Sequence, residues 1–181
     1  MRNLVVVTSL TLMSLIVAAR LTAQETSARF VVSVRSGAWS DPATWQGGKV
    51  PGAFSRVRVA EGHTITYDLD NDQVIRMIHV AGTLTFAHDK NTCLNVGLIR
   101  IQEGYDVGEA GIDCEAHMKA PDPHKMRPAL EIGTRAKPID ARYSARIRLV
   151  YCDGMNKETL PAIISCGGRW DVHGAAMSRT W

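Results

Sequence analysis

Gly37-Ala38-Trp39-Ser40-Asp41-Pro42-Ala43-Thr44-Trp45 sets a Ser-Asp-Pro turn between two tryptophans, and Gly47-Gly48-Lys49-Val50-Pro51-Gly52 comes directly after it. Proline and aspartate here favour a tight turn. Two large aromatics beside it suit a plug for the open end of a stack of strands, and stacked folds need such caps. The chain then continues as short β-branched runs punctuated by single glycines. No stretch sustains helical spacing. Strands are predicted at 30–34, 57–60, 64–67, 74–80, 83–86, 98–101, 129–132, 145–151, 162–165 and 170–173.

Several runs alternate. Val57, Val59, Ile65 and Tyr67 face one way, with Arg56, Arg58, Thr64 and Thr66 facing the other. Ile147 and Leu149 alternate with Arg146 and Arg148 in the same way. One face buries and the other stays wet. Such a ladder, with a turn every few residues, fits a β-sandwich or a β-solenoid whose coils stack their interiors; the fold class expected is all-β, a short right-handed parallel β-helix (β-solenoid) with an N-terminal tryptophan-containing cap. Residues 105–128 break the pattern, carry Pro121, Pro123 and Pro128, and read as a surface excursion.

The N-terminus reads as an export signal. Arg2 precedes an apolar run from Leu4 to Val17, and small residues follow up to Ala23. Residues 1–23 are therefore expected to be removed. That run is short for a membrane span and no second one follows, so the mature chain has no integral span. The whole chain has net charge +3; without Arg2 and Arg20 it has 19 basic against 18 acidic residues. A nearly neutral chain without a basic run excludes nucleic acid as a partner.

Cys93, Cys114, Cys152 and Cys166 all follow the signal. An even count in an exported chain predicts two disulfides, with three connectivities open. Neighbour pairing, Cys93 with Cys114 and Cys152 with Cys166, closes the smallest loops; free buried thiols are the alternative. Asp68, Asp70 and Asp72 have the opening spacing of a calcium loop, but Gln73 and His79 stand where the motif needs glycine and glutamate. A polar turn is the better reading. Cys114, His117 and His124 fit no zinc spacing. No metal or cofactor is expected. Glu103, Asp106, Glu109 and Asp113 read as a solvated acidic loop rather than a hydrolytic carboxylate pair.

The order of these pieces resembles the G8 domain, a family named for eight glycines, with members in fibrocystin and in the cell-migration-inducing and cell-surface hyaluronidases. The likeness is carried by Trp39–Trp45, by Val57-Arg58-Val59-Ala60-Glu61-Gly62-His63, by Val80-Ala81-Gly82-Thr83-Leu84, by Ile99–Gly104 and by Leu130-Glu131-Ile132-Gly133. Gly167-Gly168-Arg169-Trp170-Asp171-Val172-His173-Gly174 resembles the segment that leads into a larger β-helix in the hyaluronidase-like members. On this resemblance residues 30–150 are a G8-like domain and 151–181 the start of a continuing β-helix, apparently truncated.

The resemblance implies a secreted or cell-surface protein. Its implied role is a non-catalytic module that engages carbohydrate or matrix. The rivals are a fragment of a hyaluronidase-like depolymerase and a purely structural cap. An acidic polysaccharide is the expected ligand, with Arg56, Arg58, Arg146, Arg148 and Trp170 as the contact residues. No catalytic residue is singled out. An uncapped solenoid end at Trp170 and Val172 predicts self-association.

Overall fold

A computed structural model describes residues 30–104, 108–109 and 125–175. The expected signal peptide, Cys114, His117, His124 and Trp181 lie outside them. Among the described residues no helix is long and apolar enough to cross a membrane. Eleven strands occur among the described residues: β1 Phe30–Val32, β2 Gly37–Ala38, β3 Arg56–Val59, β4 Thr64–Tyr67, β5 Asp70–Val80, β6 Thr83–Phe86, β7 Thr92–Gln102, β8 Ala129–Ile132, β9 Ala145–Leu149, β10 Ala162–Cys166 and β11 Arg169–Val172. Two 3-10 turns, Pro42–Thr44 and Gln46–Gly48, accompany them.

All strand ladders are parallel, and they form two sheets. The first runs β1-β3-β5-β7-β10, with β9 also on β7; the second runs β2-β4-β6-β8-β11. As far as β9 the chain alternates between the sheets. Each strand is therefore laid beside the one two earlier, pointing the same way, and a parallel ladder is the necessary result. β7 is long enough to carry two partners: Thr92–Val96 pairs β9, and Leu98–Gln102 pairs β10.

Register turns the sequence alternation into a core. Val57, Ile78, Ile99 and Ile163 lie in one row of the first sheet. Ile65, Leu84, Leu130 and Trp170 make a row in the second. Apart from Trp170, which is exposed, these rows pack together in one cluster with Trp39, Trp45, Tyr67 and Phe86. Burying each large aliphatic side chain contributes about 1.5–3 kcal/mol, so the repeated β-branched row is what stabilises the stack. Gly82 is required by close approach, because a Cβ there would collide with the backbone oxygens of Ala60 and His63.

The tryptophans fill the end of this core at β1 and β2. Trp45 donates its indole N–H to the Trp39 carbonyl at 2.7 Å. The two rings meet edge to face at 4.9 Å, and Trp39 meets Tyr67 at 5.3 Å.

Three expectations differ. The outward face of the first sheet is not wet at its centre: Met77 and Leu98 are buried there under Cys152, Met155 and Leu160. The segment after β9 folds back over them, as parallel sheets covered on both faces require. The Asp68–Asp72 turn is partly strand, because β5 begins at Asp70. The third difference is at the cysteines: Cys93, Cys152 and Cys166 are free thiols. Cys152 packs beside Leu98, whereas Cys166 sits four residues along β10 from Ala162, the register partner of Leu98.

Candidate functional site

Arg56 and Arg58 project from β3 onto the covered face, and their partners belong to the chain itself. Arg56 Nε donates to Glu109 Oε1 at 2.9 Å. Arg76 Nε and Nη2 donate to the two oxygens of the same carboxylate, each at 2.8 Å. Arg76 Nη1 also reaches the Asp153 carbonyl at 2.8 Å. Partial burial pushes the Glu109 carboxyl up, but the bonds and charges of Arg76 and Arg56 outweigh it and hold it below the usual carboxylate range.

One row along, Arg58, His79 and Arg100 are register neighbours. Arg58 donates to the Gly104 carbonyl at 2.7 Å, and Arg100 to the Gly108 carbonyl at 2.9 Å. His79 is fully buried, with Nε2 2.9 Å from the Gln102 carbonyl. Burial pushes its pKa down to about 4; the bond to Gln102 opposes this, and the Arg58 and Arg100 charges add to it. The imidazole is therefore neutral at physiological pH, and its Nε2–H donates to Gln102. This seam binds the residues that come after β7. Sequence reasoning missed Arg76 and placed Glu109 in a solvated loop; spacing alone carries no signal that Glu109 reaches β3 and β5.

Arg146 and Arg148 stand on the outer face of β9 and stay half exposed. Their nearest carboxylates are Asp70 at 3.8 Å and Asp72 at 4.0 Å. Asp68 instead accepts from the Ser40 backbone at 3.0 Å and from its hydroxyl at 2.5 Å. The three aspartates thus serve three different partners, and no metal-binding cluster occurs among the described residues. Ser33 and His63 are hydrogen-bonded at 2.9 Å. The serine hydroxyl also accepts the Ala60 N–H at 2.9 Å and is buried, so it tethers backbone rather than presenting a nucleophile.

A polar cleft of ≈ 430 Å³ opens between the β4–β6 side and the turn before β9. His88, Asp89, Lys137, Asp140, Arg142 and Tyr143 are among its walls. Arg142 grips Asp140 through Nε at 3.0 Å and Nη2 at 2.9 Å, and its guanidinium lies 5.5 Å from the Tyr143 ring centre. The side-chain and backbone bonds from Arg142 lower the Asp140 pKa to about 2. The cleft therefore presents a fixed carboxylate, cationic donors and an aromatic ring in one place. All of these residues lie on turns, where no motif announced them.

The family model of the G8 domain matches residues 44–181. This chain belongs to the G8 domain family. No curated protein and no solved structure matches it. Within the G8 match lie every strand from β3 onward, the arginine seam and the polar cleft, while β1, β2 and Trp39 precede it.

Proposed function

We propose that this G8 chain is a non-catalytic extracellular module that binds carbohydrate, built as a short right-handed β-solenoid. The observation that carries the reading is the cleft at Tyr143. Sugar rings combine hydroxyls, which pair with carboxylates and cationic donors, with C–H faces that pack on an aromatic ring. Asp89, Asp140, Lys137 and Tyr143 supply those groups together. Arg146 and Arg148 add exposed positive charge, which favours a polysaccharide that carries carboxylates. Arg56 and Arg58 contribute little, because their guanidiniums are engaged with Glu109 and Gly104.

Depolymerisation is the weaker reading. Glycoside hydrolysis needs a carboxyl that still holds its proton near neutral pH. Asp140 is held ionised by Arg142 and cannot supply one. The test is calorimetric titration of the purified protein with hyaluronan oligosaccharides and with neutral oligosaccharides of equal length. Weak binding that falls as salt rises, and falls further in Lys137→Ala and Asp89→Ala, is the expected result. Shortening of the oligosaccharides would establish the enzyme reading instead. No heat with either set at low salt would leave the structural-cap role.

A further inference from the structure

Residues 52–55 close a tight turn just before β3, with the Ser55 N–H donating to the Gly52 carbonyl at 3.2 Å. Phe54 is the third residue of this turn and has φ 56°. A turn with positive φ at that position ordinarily takes glycine or asparagine, because a bulky side chain there strains the backbone. Among the described residues Phe54 is the one non-glycine residue with positive φ. Burial does not offset the strain, since Phe54 is 63% exposed. The backbone is nevertheless firmly held. Phe54 donates its N–H to the Val74 carbonyl at 2.7 Å, and Ser55 accepts the Arg76 N–H at 3.1 Å. Strain kept at an exposed, well-tethered aromatic points to a ligand rather than to the fold.

The turn abuts an irregularity in β5. The register with β7 shifts between Asp70 and Val74, so residues 71–73 stand opposite Leu94 alone. Asn71 Oδ1 accepts the Gln73 N–H at 3.1 Å, and Asn95 Nδ2 donates to the Asn71 carbonyl at 2.9 Å, so this bulge is fixed. A Cβ added to Gly52 would meet Gln73 Nε2 at 4.0 Å, which sets turn and bulge against each other. The bulge holds the Asp72 carboxylate fully in solvent. Val74, Asn95 and Arg148 share one row of the sheet. Arg148 therefore lies two strands from Val74, about 10 Å away. It is half exposed, with Asp72 at 4.0 Å. The exposed groups near Phe54 are thus a carboxylate and a guanidinium, not a contiguous apolar patch of the kind that docks a protein. One aromatic ring beside such groups suits a sugar.

We propose that Phe54 is an aromatic platform for one sugar ring of an acidic polysaccharide, with Asp72 accepting its hydroxyls and Arg148 meeting a carboxylate of the same ligand chain. The C–H face of the sugar packs on the Phe54 ring. A ligand carboxylate takes Arg148 in place of its loose contact with Asp72. The tethered turn fixes the ring before the ligand arrives, so little freedom is lost on binding. This inference rests on the carbohydrate reading and adds a contact apart from the Tyr143 cleft, which none of Phe54, Asp72 and Arg148 lines.

Calorimetric titration of the purified protein with hyaluronan oligosaccharides tests this, with urea denaturation and sedimentation of each variant in parallel. Phe54→Asn suits a positive φ and removes the ring. It is expected to unfold at a higher urea midpoint than wild type, yet to raise the dissociation constant about tenfold. Phe54→Trp keeps an aromatic face and should bind at least as tightly as wild type. Lys137→Ala reports the cleft separately. Binding that Phe54→Asn leaves unchanged overturns the proposal, and the carbohydrate reading survives if Lys137→Ala still weakens it. Loss in Phe54→Asn with none in Lys137→Ala supports the platform and removes the cleft from the reading. A lower urea midpoint in Phe54→Asn would show that the ring serves the fold. Self-association abolished by that change would show that it serves a second copy. Either result overturns the proposal, and absence of oligosaccharide heat in wild type overturns both it and the reading.

Discussion

Arg76 holds Glu109 by two hydrogen bonds of 2.8 Å, one to each carboxylate oxygen, across 33 residues of sequence. Arg56 adds a third bond to the same group at 2.9 Å. Hydrogen bonds to charged groups contribute about 1.5–3 kcal/mol each when shielded, and partial exposure here reduces that. Glu109→Gln removes the charge and leaves two cations facing each other. We predict a loss of about 1–3 kcal/mol in denaturant unfolding. Gln at Glu61, whose partner Lys125 lies on the open surface at 3.2 Å, should change stability far less. Equal effects from the two substitutions would refute a special role for the Arg56–Arg76–Glu109 clasp.

His79 makes stability depend on pH. Its folded pKa of about 4 lies below the unfolded value of 6.5. The unfolded chain therefore binds a proton that the folded chain refuses. Stability from this group is complete above pH 6.5, falls as pH drops through the window to about 4, and is flat below it. The full loss is on the order of 3 kcal/mol. Urea midpoints measured from pH 7 to 4.5 should fall more steeply in wild type than in His79→Gln. Parallel slopes would show that His79 is not the group responsible.

The row architecture was legible because alternation has a single physical meaning in a strand. Val57 and Val59 sit inside, Arg56 and Arg58 outside, and β4, β6 and β8 fall where the glycines bound them. Strand length was less legible. β7 extends back to Thr92 through Cys93, Leu94 and Asn95, buried on both faces, so alternation gives no signal there. β2 has two residues and no side-chain pattern to read. The fate of the outward arginines was hidden for a different reason. Whether Arg56 meets solvent or Glu109 depends on a contact 53 residues away, and no local rule encodes it. The polar cleft was missed likewise, since His88 and Tyr143 become neighbours only when the turn before β9 closes over β6.

Trp45 is the sharpest test of how the stack is closed. Its ring is buried in the principal core, and its N–H satisfies the Trp39 carbonyl at 2.7 Å. Trp45→Phe keeps most of the apolar volume but removes that donor. A buried carbonyl left without a partner costs about 1–3 kcal/mol. Trp45→Ala also opens a cavity against Trp39 and should cost about 3–5 kcal/mol. Both losses should appear as a lower denaturation midpoint. The fluorescence of Trp39, which keeps its edge contact with Tyr67, should report earlier solvent entry in the alanine variant. If Trp45→Ala lost no more stability than an exposed substitution such as Lys157→Ala, the tryptophan pair would not be what closes this end of the core.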